Sequence, residues 1–88
     1  MRVVVSVGKR KTSLAKATIK DGIGRIRING QPLEILQPEV ARMRVMEPLI
    51  IFGENWKRYD IKVRVKGGGF MSQADAVRMA IALSLIHI

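Results

Sequence analysis

The stretch SVGKRKTSLAKATIK, residues 6–20, carries five Lys or Arg side chains and no acid. On its C-terminal side Ala15, Ala17 and Ile19 alternate with Lys16, Thr18 and Lys20, the period of two that marks a strand with one buried face. On its N-terminal side Val3, Val5 and Val7 alternate with Arg2, Val4 and Ser6, which reads as a preceding strand that ends at Gly8. Between them lies a basic turn, Gly8-Lys9-Arg10-Lys11-Thr12. Gly8-Lys9 with Thr12 and Ser13 nearby invites comparison with a nucleotide-binding loop. That loop needs an earlier Gly, four residues before a Gly-Lys-Ser/Thr ending, so that backbone N–H groups encircle a phosphate. Neither the earlier Gly nor the ending is present. What remains is a basic turn that can hold phosphates by charge, with Thr12 as an added donor.

The same alternation recurs downstream. Asp21-Gly22 is a tight-turn signal. It leads into Ile23 to Ile28, where Arg25 and Arg27 alternate with Ile26 and Ile28, so residues 13–28 are expected to form an antiparallel hairpin. Asn29-Gly30 marks a further turn, with a third element beginning near Gln31. The cleanest pattern is YDIKVRVK, residues 59–66: Ile61, Val63 and Val65 share one face, and Lys62, Arg64 and Lys66 the other. A sheet covered by helices on its apolar face would present Lys16, Lys20, Arg25, Arg27, Lys62, Arg64 and Lys66 on the opposite face or its edges. Ordinary solvated strand surface is the plain alternative, because lysines also protect sheet edges. Cations without interleaved acids repel across a sheet, however, and a bound polyanion would remove that repulsion.

Two helices are expected. Pro38 suits a first helical turn, with Val40, Met43 and Met46 as the apolar stripe. Pro48 should end or kink that helix, leaving PLIIF as a short extra turn before Gly53. After Gly67-Gly68-Gly69, Ser72 and Asp75 have the spacing of a variant capping box, opening a helix whose Ala74, Val77, Ile81 and Leu85 share a face. The glycines allow close backbone approach at a helix N-terminus, where phosphate contact and a merely flexible connection are both open readings. The dinucleotide-binding pattern is not completed, since position 72 is Ser.

Composition bounds the rest. Eighty-eight residues make at most one domain, here residues 1–88, and 48% hydrophobic residues supply a core built almost without aromatics. A net charge of +9 and a pI near 11.0 imply an acidic partner, nucleic acid or anionic membrane. There is no Cys, hence no disulfide and no thiol chemistry. No apolar run has transmembrane length, and the N-terminus does not read as a secretion signal, so a soluble, cytoplasmic protein is expected. His87 is the single histidine and the seven carboxylates are scattered. No catalytic or metal-binding set assembles, and neither an enzyme nor a cofactor is expected. Met43, Met46 and Met79 read as core fillers. Of Trp56 and Tyr59, one is expected to be buried against a helix.

The segments SVGKRKTSLAKATIKDGIGRIRINGQPLEI, ARMRVMEPL and KVRVKGGGFMSQADAVRMAIA, in that order over residues 3–83, closely resemble the small-subunit ribosomal protein S9 family in its archaeal and eukaryotic form. The resemblance implies an α+β two-layer sandwich, a mixed four-stranded sheet with helices on one face, like the second domain of ribosomal protein S5 and the GHMP-type kinases. It implies a structural role in the head of the small subunit, bound to 16S-type rRNA beside neighbouring head proteins, with no small-molecule substrate. Lys9, Arg10, Lys11 and Thr12 fall on the family's rRNA-contacting loop. Gly67, Gly68 and Gly69, with Ser72 and Gln73, fall on its Gly-rich segment, and residues 25–30 on its hairpin. Family members continue into a long basic tail that reaches P-site tRNA. This sequence runs to Ile88 through SLIHI, unlike that continuation, which leads to the expectation of a truncated chain or foreign last residues and leaves tRNA contact unsupported. The rival readings are a phosphate-binding fragment of a GHMP-kinase-like fold, which ATP binding without RNA affinity would favour, and a basic module on membranes, which would need a cationic amphipathic helix.

Overall fold

A computed structural model describes residues 3–36 and 38–87, so the expectations at Arg2 and Ile88 lie outside the described residues. The chain runs β1 (Val3–Arg10), β2 (Ser13–Asp21), β3 (Ile26–Ile28), β4 (Gln31–Pro32), a 3-10 turn (Leu33–Ile35), α1 (Glu39–Phe52), a second 3-10 turn (Glu54–Arg58), β5 (Tyr59–Lys66) and α2 (Phe70–Ile86). The strands form one mixed sheet in the order β1-β2-β5-β3-β4. Both helices lie on the same side, giving the α+β two-layer arrangement; the two-residue β4 makes a fifth strand where four were expected.

β5 is the centre of the sheet. Its Ile61, Val63 and Val65 are all buried, in register with Ile19, Ala17 and Ala15 of β2. On its other side Ile61 and Val63 pair in parallel with Ile26 and Ile28 of β3. A parallel pair needs a long crossover, supplied here by α1. The expected hairpin over residues 13–28 therefore does not form: β5 sits between β2 and β3. Asp60 explains the detour. Its carboxylate accepts hydrogen bonds from the backbone N–H groups of Ile23 and Arg25, both 3.0 Å, and binds the loop across the end of β5. The Asn29-Gly30 hairpin between β3 and β4 does form. Asn29, at φ 52°, uses its side-chain amide to pair with both the N–H and the carbonyl of Val65, continuing the ladder after the β3 backbone has turned away.

β1 turns its even-numbered residues to the helices. Val3, Val5 and Val7 are 52–53% exposed, whereas Ser6 and Gly8 are buried. The cause lies in α2. A Cβ on Gly8 would run into the backbone of Ala76 and Ala80, so only a small residue lets the helix settle. The seam continues with Ala15 and Ala17 on β2 and with Ala76 and Ala80 on α2, all fully buried. Ala74, Val77, Ile81 and Leu85 are buried as the helical spacing predicts.

α1 departs from expectation in two ways. Its buried residues are Ala41, Val45, Pro48 and Leu49, while Val40, Met43 and Met46 are exposed. The helix also runs through Pro48 to Phe52 and stops at Gly53, whose φ is 84°. A proline forfeits one backbone hydrogen bond, and burial of its ring in the core offsets part of that loss. Trp56 and Tyr59 are both partly buried against the core. The capping box is absent: α2 begins at Phe70, two residues before Ser72, and no side chain caps it.

Gly8→Ala should lower the free energy of unfolding in urea by about 1–3 kcal/mol, the usual range for overpacking a core. Asp60 gives a pH signature. The Arg25 and Ile23 N–H groups, aided by the charge of Arg25, hold its pKa below the ordinary 3.8. Its contribution to stability is complete above that ordinary value and is lost as pH falls through the lower folded value. Acid unfolding below pH ~4 should accordingly be less steep in Asp60→Asn, whose amide oxygen still accepts both N–H groups.

Candidate nucleic-acid interface

With one sheet face sealed by helices, the alternate residues of β2, β3 and β5 stand on the other. Lys16 lies opposite Arg64, and Lys62 lies between Thr18 and Arg27. Lys66 is opposite Leu14 at the far end. Lys16, Lys20, Arg25, Arg27, Lys62, Arg64 and Lys66 are all exposed. Among the described residues none of these seven has a carboxylate within 4.0 Å. Asp60, the carboxylate beside them, is occupied by backbone donors. Shallow hollows of about 230, 390 and 380 Å³ run between these side chains. The expected concentration of strand cations on one face is thus what the register produces, with Val3, Val5 and Val7 of β1 forming an apolar border along its edge.

A second group gathers at the end of the sheet. Lys11 takes the left-handed conformation, φ 54°, in the two-residue turn joining β1 to β2. The turn rests directly on the glycines. Ser13 Oγ donates to the carbonyl of Gly67 at 2.7 Å, and a Cβ on Gly67 would collide with the carbonyl oxygen of Thr12. Gly67 and Gly68 both have positive φ, 82° and 68°, and Gly68 has the Ser13 and Thr12 side chains against it. The basic turn and the Gly-rich segment, 54 residues apart in sequence, are therefore one surface. Gln73 also donates to the Gly67 carbonyl, at 3.1 Å, and Ser72 lies beneath Gly68. The Gln73 bond ties the loop to the first turn of α2. Gly69 has open space around it.

Lys9 stands with Leu14 and Lys66 on the open face, but Arg10 does not. It shares the parity of Ser6 and Gly8 and turns to the helix side, where its Nε is 3.9 Å from Asp75. The same carboxylate receives Arg44 of α1 at 3.0 Å and Arg78 of α2 at 3.8 Å. Asp75, expected as a cap, is instead the hub of three arginines. Arg44 and Arg78 were not singled out by sequence. The Asp75-Arg78 spacing of three is a visible helix-surface pair, whereas Arg10 and Arg44 reach the hub through tertiary packing alone.

Among the described residues no group of His, Asp or Glu could hold a metal ion, and no helix is long and apolar enough to cross a membrane. A family model described as ribosomal protein S9/S16 matches residues 8–88. Curated relatives called small ribosomal subunit protein uS9 come from archaea. That of Desulfurococcus amylolyticus is 56% identical over 87 residues, covering 99% of this chain and 62% of the relative. That of Pyrobaculum aerophilum is 59% identical over 85 residues, covering 97% and 60%. That of Methanothrix thermoacetophila is 55% identical over 87 residues, covering 99% and 66%. The chain thus spans 60–66% of the length of these three relatives. A match over nearly the whole chain, joined to a fold of the expected class, places the chain in the ribosomal protein S9/S16 family.

Proposed function

We propose that the chain is a non-enzymatic structural component of the small ribosomal subunit, bound in its head to 16S-type rRNA and neighbouring proteins, in the cytoplasm. The observation that carries this reading is the open sheet face, a two-dimensional array of unpaired cations on rigid strands. Lys16, Arg25, Arg27, Lys62, Arg64 and Lys66 neutralise backbone phosphates there. Lys9, Lys11 and Thr12 do so at the sheet end. Gly67 and Gly68 seat the basic turn, and Gly69, with open space around it, lets RNA approach the backbone closely, with Ser72 and Gln73 beside it as further RNA contacts. The shape of the folded RNA supplies most of the specificity, as is usual for structured RNA.

Filter binding to an rRNA head fragment across a salt series tests the proposal. The logarithm of the binding constant should fall linearly with the logarithm of salt concentration, by about 0.7–0.9 per phosphate neutralised. Lys62→Gln with Arg64→Gln should weaken binding and flatten that slope by about 0.7–0.9 for each lost contact. A flat salt response of the unmodified chain would overturn the reading.

A further inference from the structure

We infer that Arg44 and Arg78, gathered with Arg10 around Asp75, form a second phosphate site, on the helix side of the sheet, for an RNA segment separate from the one on the open face. The inference rests on the RNA-binding reading and extends it to a surface that strand alternation does not reveal. Three guanidiniums converge on one carboxylate. The Asp75 side chain is only 14% exposed, while those of Arg10, Arg44 and Arg78 are 57%, 44% and 38% exposed. Asp75 is therefore a half-buried anchor around which the cluster gathers, and the cations form its outer surface. Glu47 lies at the edge, 4.0 Å from Arg78, and leaves the group with excess positive charge.

The hydrogen-bonding inventory points the same way. Each guanidinium has five N–H donors. Among the described residues the three arginines make one hydrogen bond in all, from Arg44 Nη1 to Asp75; the remaining ion pairs, at 3.8 Å or more, are contacts of charge. Arg78 Nε is buried and has no partner at all. Planar guanidinium forks open to solvent fit the oxygens of a phosphate, which accept in pairs.

Position separates this site from the first. Arg10 projects from β1 to the helix side, and Arg44 and Arg78 stand on the helices themselves. Sheet and helix layer lie between the cluster and Lys62 or Arg64. Arg10, flanked by Lys9 and Lys11, adjoins the sheet-end contact, whereas Arg44 and Arg78 face the helix side, and it is these two that take the second segment.

The test is hydroxyl-radical footprinting of the head fragment, with salt slopes, for the unmodified chain, for Lys62→Gln/Arg64→Gln and for Arg44→Gln/Arg78→Gln. The single Arg44→Gln on α1 serves as a milder variant, and circular dichroism checks the fold of each. The expected result is two protected RNA segments. The Arg44/Arg78 variant should lose one of them and flatten the slope by about 0.7–0.9 per arginine, while the Lys62/Arg64 variant loses the other. The inference is overturned if the folded Arg44 variants keep slope and footprint unchanged, or if both pairs of substitutions erase the same segment. An unmodified chain that shows no salt-dependent binding overturns the underlying RNA reading instead.

Discussion

The close approach of α2 to β1 and β2 is the contact on which the remainder of the structure depends. Gly8, Ala15 and Ala17 on the sheet meet Ala76 and Ala80 on the helix, and there is no room at Gly8 for a single added carbon. This contact decides which parity of β1 faces inward. It overrides the larger hydrophobicity of Val3, Val5 and Val7, because burying those valines would hold the helix off the whole strand pair. Register then carries the decision across the sheet: once Gly8 lies under the helix, Ala15 and Val65 follow it, and Lys16 and Arg64 must point the other way. The cation face is a consequence of helix packing on the opposite side.

That face is electrostatically unfavourable by itself. Residues two apart on a strand are about 6.7 Å apart, and neighbouring strands about 4.8 Å. Lys62, Arg64 and Lys66 with Lys16 and Arg27 therefore occupy a grid finer than the Debye length of about 8 Å at physiological salt, so screening does little to separate them. Like charges directly opposite one another on a sheet destabilise it. The apolar triplets Ile19-Ile61-Ile26 and Ala17-Val63-Ile28 on the reverse face hold the strands together against this repulsion. A polyanion that binds the grid relieves it, and does so without first ordering a loop.

Alternation revealed most of this from sequence. β2 and β5 and their basic faces follow from strict period-two patterns, and the buried face of α2 follows from helical spacing. Pairing was not available in the same way. Asp21-Gly22 has the chemistry of a tight turn, but the partner that binds the following loop is Asp60, 35 or more residues away. Nothing local distinguishes a hairpin from a loop that crosses the end of another strand. Runs with apolar residues of both parities were the second difficulty. In β1 and α1 hydrophobicity alone does not mark the inner face, because size matters more: Gly8 and Ala41 are inside while Val7 and Met43 are outside. The union of the basic turn with Gly67 and Gly68 was beyond sequence for the first reason, although each half was visible.

Asp75 shows how one acid can organise a basic protein. The chain has only seven acids against sixteen Lys and Arg. Asp60 is taken by backbone donors at one end of β5, and Asp75 collects three arginines near the other end of the sheet. Neither interrupts the array from Lys16 to Lys66. The placement of acids thus sorts the cations into two kinds. Those on the open face have no fixed partner and keep their rotamer freedom until they meet an anion. Those around Asp75 are gathered by one half-buried carboxylate, Arg44 by a hydrogen bond and Arg10 and Arg78 by charge. Freely moving lysines and arginines suit a broad contact with variable backbone geometry, and arginines gathered around one carboxylate suit a contact confined to one place.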